Sequence, residues 1–229
     1  ESILGEKYVF KPVNHRSTRG NKKYAEFIVA FNMHLANKGI PVSRFLQNKN
    51  GVYLIELDKI YFGLSEFIEH GKVISGKNYT LMQHRNRGKL AAQIQNVVAD
   101  FKNPAIDEDI KNPWILPSEL AHVEDNIEKS KAKFPLPDEI KITEQIELYR
   151  TNFKKLEKDW KWSYIHGDVN HGNVLFDGDA ITGLIDFSRA CYNYRIVEFV
   201  RIALSGSKES MKTCYNKESL KQAIIGFQK

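Results

Sequence analysis

From Tyr164 the chain reads Y-I-H-G-D-V-N-H-G-N-V-L-F to Phe176, and after Asp177-Gly178-Asp179 it continues I-T-G-L-I-D-F from Ile181 to Phe187. Apolar runs at Trp162 to Ile165, Asn173 to Phe176 and Ile181 to Ile185 predict short strands, and Asp-Gly-Asp supplies the turn between the last two. The first strand delivers His166-Gly167-Asp168. Asn173, five residues after Asp168, opens the second, and Asp186 ends the third. Oxygen-bearing side chains thus stand at strand or loop ends, where adjacent strands would gather them. A lone Asp at a strand end is ordinarily a cap or turn residue, and His-Gly-Asp occurs in many turns by chance. The combination is specific: D-x4-N between apolar strands, then I-D-F after a glycine turn.

Such a set suits phosphoryl transfer from a nucleotide. Mg2+ takes oxygen ligands, usually one or two carboxylates with phosphate oxygens. Asp186 fits a bridging metal ligand, and Asn173 adds a neutral amide oxygen. Asp168 fits the catalytic position, orienting the attacking hydroxyl and accepting its proton. An aspartate with an ordinary pKa of ~4 is a weak base. Positioning is therefore its main task, with proton transfer late in a loose transition state. His166 is read as a packing and hydrogen-bonding residue beneath the loop.

These residues follow the order and spacing of the kinase catalytic loop, with Gly167 in place of its Arg. The chain resembles the kinase-like small-molecule phosphotransferases, the group of aminoglycoside phosphotransferases, choline kinases and homoserine kinases. Members commonly read H-G-D-L-H-P-G-N followed by I-D-F or I-D-W. Val169, Asn170 and His171 depart from that wording, between the catalytic positions. The phrases N-V-L-F and G-L-I-D-F look closest to the homoserine-kinase-like members.

The resemblance implies an α+β, two-lobed, protein-kinase-like fold. Residues 1–69 would form a small nucleotide-binding lobe and 70–229 a larger, mainly helical catalytic lobe. It implies ATP and Mg2+ as cofactors and a small hydroxyl compound as acceptor, such as homoserine, choline or an aminoglycoside. The kinase architecture also requires a strand lysine paired with a helix glutamate. Lys11, ending Tyr8-Val9-Phe10-Lys11, and Glu26 occupy those places. Glu66, Phe67 and Ile68 fall at the interlobe hinge, whose backbone would bond the adenine edge. Glu198 stands where the family carries a loop-holding Asp. Arg189 is open to two readings, a substrate anion or a surface salt bridge. Glu119, Glu124, Asp125 and Glu128 suggest an acidic pocket for a cationic acceptor or a solvated face.

Elsewhere, apolar spacing predicts helices over Lys22 to Lys38, stopped by Gly39, and over Tyr79 to Phe101. Val52 to Leu57 and Ile60 to Ile68 read as a hairpin turning at Asp58-Lys59. Asn103 to Pro117 reads as an irregular connection. Further helices are expected over Ser118 to Lys131, Thr143 to Trp160, Ile196 to Leu204 and Ser219 to Phe227. A glycine-rich loop should precede Lys11, and only Gly5 stands there, so the chain reads as lacking its first strand and that loop. Its C-terminus reads as short of a helical tail.

The 229 residues, 42% apolar and 27% charged, exclude a low-complexity chain. No apolar run approaches the ~18 residues of a membrane span, so no membrane partner is expected. Cys191 and Cys214 read as reduced thiols of a cytoplasmic protein. A net charge of +6 favours anionic partners. The basic clusters lack interleaved aromatics, so a nucleotide is expected and no specific nucleic acid. Gly167 and the lack of an A-P-E-like segment argue against a protein kinase. Retention of Asp168, Asn173 and Asp186 argues against a nucleotide-binding module without catalysis.

Overall fold

The computed structural model describes residues 5–14, 20–74, 79–103, 157–204 and 217–228, with scattered positions between 125 and 155. Strand β1 (Tyr8–Pro12) runs antiparallel to β4 (Ile60–Glu66), with Lys11 opposite Gly63. Strands β2 (Phe45–Leu46) and β3 (Leu54–Leu57) line the other side of β4, completing a four-stranded sheet. The expected β3–β4 hairpin forms. Its turn residues Asp58 (φ 50°) and Lys59 (φ 61°) adopt the left-handed pair that matches strand twist in a tight hairpin.

Helix α1 (Lys22–Asn37) begins where the Asn21 side chain accepts a hydrogen bond from the Tyr24 N–H, and Gly39 at φ 80° follows its end. Tyr24, Phe27, Ile28, Phe31 and Leu35 form its buried face. That face packs mainly against residues from later in the chain. Phe31 lies 5.4 Å from Phe101 and 6.1 Å from Phe187, ring centre to ring centre, and Phe27 lies 5.7 Å from Tyr164. The Tyr24 hydroxyl donates to the Ala190 carbonyl at 2.6 Å.

Helix α2 (Leu81–Val97) starts with a reciprocal cap between Thr80 and Gln83. It is shorter than the periodicity suggests, and a tight turn over Val98–Asp100 replaces its last turn. Helices α3 (Arg195–Leu204) and α4 (Lys217–Phe227) pack with it. Glycines let α2 and α4 meet backbone to backbone. A Cβ on Gly88 would lie 2.0 Å from the Ala223 carbonyl oxygen, and one on Gly226 1.9 Å from that of Arg85.

The strands of the decisive stretch divide between two sheets, a correction to the adjacency read from sequence. Strand β7 (Val174–Asp177) lies between β5 (Lys72–Val73) and β8 (Ala180–Leu184). Strand β6 (Trp162–Ile165) instead pairs with β9 (Cys191–Tyr194), a strand that sequence patterning did not mark. Ile185 N–H donates to the Asn173 carbonyl at 2.9 Å, extending the β7–β8 pairing by one step, and the His166 ring at the end of β6 meets the Ile185 carbonyl at 3.0 Å, which joins the two sheets at the site.

Residues Asn103 to Pro117 fall almost wholly outside the described residues. Of the helices expected over Ser118 to Lys131 and Thr143 to Trp160, only scattered helical positions are described. Cys191 is buried, and Cys214 lies outside the described residues. Among the described residues no helix is long and apolar enough to cross a membrane.

Candidate active site

The loop after β6 is built from the backbone outward. Gly167 sits at φ 74°, and a Cβ there would lie 2.4 Å from the Arg189 carbonyl oxygen. A larger residue meets both a backbone penalty and a wall of main chain. This is the local reason for glycine where the kinase signature has arginine. Glu198, on α3, accepts from the His166 N–H at 3.0 Å and the Gly167 N–H at 2.9 Å, one with each carboxylate oxygen. It is fully buried. That burial pushes its pKa up to about 7, against the pull of the two N–H donors. The longer Glu thus fills the loop-holding place expected for an Asp.

His166 is also fully buried, and desolvation pushes its pKa down to about 4. The neutral ring has one consistent tautomer. Nε2–H donates to the Ile185 carbonyl, and Nδ1 accepts from the Asp168 N–H at 3.2 Å. His166 therefore pins the Asp168 loop to the end of the strand that delivers Asp186. It lies under the loop, against the Phe187 ring at 4.5 Å.

Asp168 is held from several sides. The Asn170 amide donates to Oδ1 at 2.9 Å. The Asn173 amide donates to Oδ2 at 3.1 Å and to the Asp168 carbonyl at 2.8 Å. The guanidinium groups of Arg201 and Arg189 stand 3.6 and 4.0 Å from the same carboxylate. Asp186 occupies the left-handed region at φ 62°, uncommon for a residue with a side chain. Its carboxylate receives the Ser188 N–H at 3.4 Å. Its Oδ1 meets Lys11 Nζ at 3.0 Å, across 175 positions of sequence. Burial pushes the Asp186 pKa up, but Lys11 and Ser188 outweigh it and hold the carboxyl below its ordinary value.

Lys11, Asp168, Asn173 and Asp186 thus converge through a continuous set of contacts. Glu26 does not join them. It is exposed on α1, pairs with Lys22 at 3.8 Å and lines a separate cavity of about 530 Å3 with Val29, Met33, Tyr53 and Tyr61. The carboxylate that meets Lys11 here is that of Asp186, so the expected Lys11–Glu26 pair is replaced. At the expected hinge, Glu66 already uses its backbone. Its N–H donates to the Arg44 carbonyl at 2.9 Å, and its carbonyl accepts from the Ser43 hydroxyl at 2.6 Å. Phe67 is exposed, and Ile68 packs over Gly183, where a Cβ would lie 2.3 Å from its Cδ1.

Sequence reading missed Arg87. It is fully buried on α2, donates to the Val169 carbonyl at 3.0 Å and stacks 4.9 Å from the Tyr79 ring. Tyr79 also donates to the His171 carbonyl at 3.2 Å. These two residues support the far side of the Asp168 loop. Asp125 of the expected acidic pocket pairs with Lys129 at 2.5 Å, while Glu119, Glu124 and Glu128 lie outside the described residues.

The donor set fits a divalent cation bound together with phosphate. With Nδ2 of Asn173 engaged by Asp168, Oδ1 is the amide atom left as a ligand, and Asp186 offers a carboxylate. Among the described residues no group of three or more His, Cys, Asp or Glu could hold a metal alone. A cation bound here would draw its remaining ligands from a phosphate chain or water.

Comparison with known proteins agrees with this architecture. The model of a phosphotransferase enzyme family matches residues 4–214. A homoserine kinase of Zymomonas mobilis is 28% identical over 178 residues, covering 77% of this chain and 52% of the relative. A homoserine kinase of Agrobacterium fabrum is 28% identical over 212 residues, covering 92% and 61%. The chain thus spans between half and two thirds of these relatives. Among solved structures, an amicoumacin kinase in complex with AMP-PNP and Ca2+ superposes with a TM-score of 0.71 at 14% identity, covering 99% of this chain and 67% of that one. A spectinomycin phosphotransferase bound to ADP superposes at 0.64 and 16% identity, covering 100% and 69%. A microcompartment-associated aminopropanol kinase superposes at 0.56 and 13% identity, covering 98% and 69%. The fold is the α+β kinase-like fold expected from the sequence.

Proposed function

Because the chain belongs to the phosphotransferase enzyme family, we propose that it transfers the γ-phosphate of ATP to a hydroxyl of a small molecule, an amino alcohol or an aminoglycoside. One observation carries the reading. Lys11 from the four-stranded sheet reaches Asp186 at 3.0 Å, in a loop that His166 ties to Asp168.

In this reading Asp168 orients the acceptor hydroxyl and receives its proton. The amides of Asn170 and Asn173 fix its carboxylate for that task. Lys11 turns from Asp186 toward the donor phosphates. Asn173 and Asp186 would hold Mg2+, which when bound supplies charge neutralisation along the phosphate chain. Residues 1–69 form the nucleotide lobe and 70–229 the catalytic lobe. The adenine edge falls to the backbone of Phe67 and Ile68, with one lone pair of the Glu66 carbonyl already occupied by Ser43. Rate enhancement comes from positioning and preorganised charge.

The names of the relatives support an amino alcohol, and those of several structural neighbours an aminoglycoside. The test is ATP consumption by the full-length protein over a panel of both classes. Turnover with at least one acceptor is expected. ATP binding without turnover on any acceptor would instead identify a nucleotide-binding module.

A further inference from the structure

Between Asp168 and Asn173 the loop turns on itself. The Asn173 N–H donates to the Asn170 carbonyl at 3.2 Å, and the Gly172 N–H donates to the Asn170 side-chain oxygen at 2.7 Å. Neither central residue, His171 or Gly172, is left-handed, as in a type I turn. Proline suits the second position of such a turn, because its ring locks φ near the value the turn needs. Histidine stands there and glycine follows it, so the turn's own sequence holds its backbone loosely. Asn170, whose amide orients Asp168 Oδ1 at 2.9 Å, is the first residue of this turn.

Restraint comes from outside the loop. Arg87 donates to the Val169 carbonyl at 3.0 Å and Tyr79 to the His171 carbonyl at 3.2 Å, so Asn170 is bracketed on both sides. The Tyr79 ring is seated against Arg87 at 4.9 Å, Phe176 at 5.4 Å and His84 at 5.5 Å, which aims its hydroxyl. Helix α2, which carries Arg87, is itself fastened to the β7–β8 turn. Thr80 donates to the Asp179 carboxylate at 2.6 Å, Gln83 to the Gly178 carbonyl at 2.8 Å and Asn86 to the Asp179 carbonyl at 2.8 Å. The Asp168 loop is thus held to the frame whose opposite strand ends deliver Asn173 and Asp186. We propose that Arg87 and Tyr79 are positioning residues for phosphoryl transfer, supplying the rigidity that the Asn170–Asn173 turn lacks and so setting the aim of Asp168. This rests on the phosphotransferase reading and deepens it. Both residues act through the loop backbone.

Arg87 is fully buried, so its replacement endangers the fold, and Tyr79→Phe is the primary variant. It deletes the hydroxyl and keeps the ring among its neighbours. On the full-length protein, amide hydrogen exchange over residues 168–173 is read by mass spectrometry. Turnover is read by ATP consumption over the acceptor panel, and nucleotide affinity by calorimetry with Mg2+ and AMP-PNP. One hydrogen bond of ordinary net strength corresponds to about fivefold. Tyr79→Phe should speed exchange in that segment by about fivefold and lower kcat by about three- to tenfold, with nucleotide affinity unchanged. Adding His171→Pro should restore both in part, because the ring locks a torsion that the hydroxyl had restrained. His171 is exposed, and its N–H has no hydrogen-bond partner among the described residues, so proline removes no bond there. A tyrosine that merely stabilised the fold would not be rescued in this way. Unchanged exchange, a loss confined to nucleotide affinity, or the absence of rescue overturns the inference. The two readings fail separately. Wild-type protein that turns over no acceptor sinks the kinase reading, and the exchange arm still decides whether the loop is clamped. Wild-type turnover with an identical kcat in Tyr79→Phe sinks this inference alone.

Discussion

Glu198 and His166 lie back to back beneath the Asp168 loop, and both are fully buried. Burial moves their pKa values in opposite directions, to about 7 from an ordinary 4.5 and to about 4 from an ordinary 6.5. The sign of each effect on stability follows by linkage. For Glu198 the unfolded chain sheds its proton near 4.5 while the folded protein keeps it to about 7. Stability therefore falls as pH rises through that interval. For His166 the unfolded chain takes a proton near 6.5 and the folded protein only near 4, so stability falls as pH drops through that interval.

Each displacement corresponds to ~3 kcal/mol across its interval. Where the intervals overlap the two slopes oppose each other, so the wild-type protein hides both. Glu198→Gln removes one limb. Its stability relative to wild type should rise by ~3 kcal/mol between acid and neutral pH. That gain sits on a constant loss of ~1–3 kcal/mol, because one backbone N–H then faces an amide NH2. His166→Gln should show the mirror trend, gaining on wild type as pH falls. Urea unfolding of the full-length protein at half-unit pH steps reads both. A constant offset between either variant and wild type at every pH would refute the opposed-burial reasoning.

Gly167→Ala should cost ~2 kcal/mol or more, from left-handed backbone strain and the contact with Arg189, and should lower kcat; thermal unfolding and turnover measure the two. Gly88→Ala should destabilise by roughly 3 kcal/mol, since its Cβ meets fixed main chain of α4. Gly178→Ala, with φ 57° but open space around it, should cost only ~1 kcal/mol. Equal losses in these two variants would contradict the close helix crossing. Asp186→Ala should abolish turnover and Mg2+-dependent nucleotide binding. Asp168→Asn should cut kcat by about 10²–10⁴-fold with nucleotide affinity nearly unchanged. Matching losses of nucleotide binding in both aspartate variants would undo the division of roles.

Local pattern carried much of the fold into view. The aromatic periodicity of α1, the Asp58-Lys59 turn and the apolar run before His166 are short-range signals, and each produced its element. That Asp168, Asn173 and Asp186 gather at one place was legible, because their spacing between apolar runs is short-range. Glu26 was not, because helical periodicity marks which face is apolar and does not name the partner a distant lysine will take. Lys11 found its carboxylate 175 residues away. Arg87 reads as one more polar position on an amphipathic helix, yet it is fully buried because Val169, 82 residues on, offers it a carbonyl. Strand β9 exists by virtue of pairing with β6, and Cys-Tyr-Asn-Tyr alone has too little alternation to announce it. Arg201 is invisible for the same reason, since only the placement of α3 brings it beside Asp168.

The aromatic face of α1 sets a rule for anyone recombining this chain with a relative. Phe27 and Phe31 are early in sequence, yet they interlock with Phe101, Tyr164 and Phe187. A chimera spliced just after Ile68 would sever that interlock even with Lys11, Asp168, Asn173 and Asp186 all retained. A workable crossover must either transplant α1 with the partner rings it nests among, or leave it behind with them.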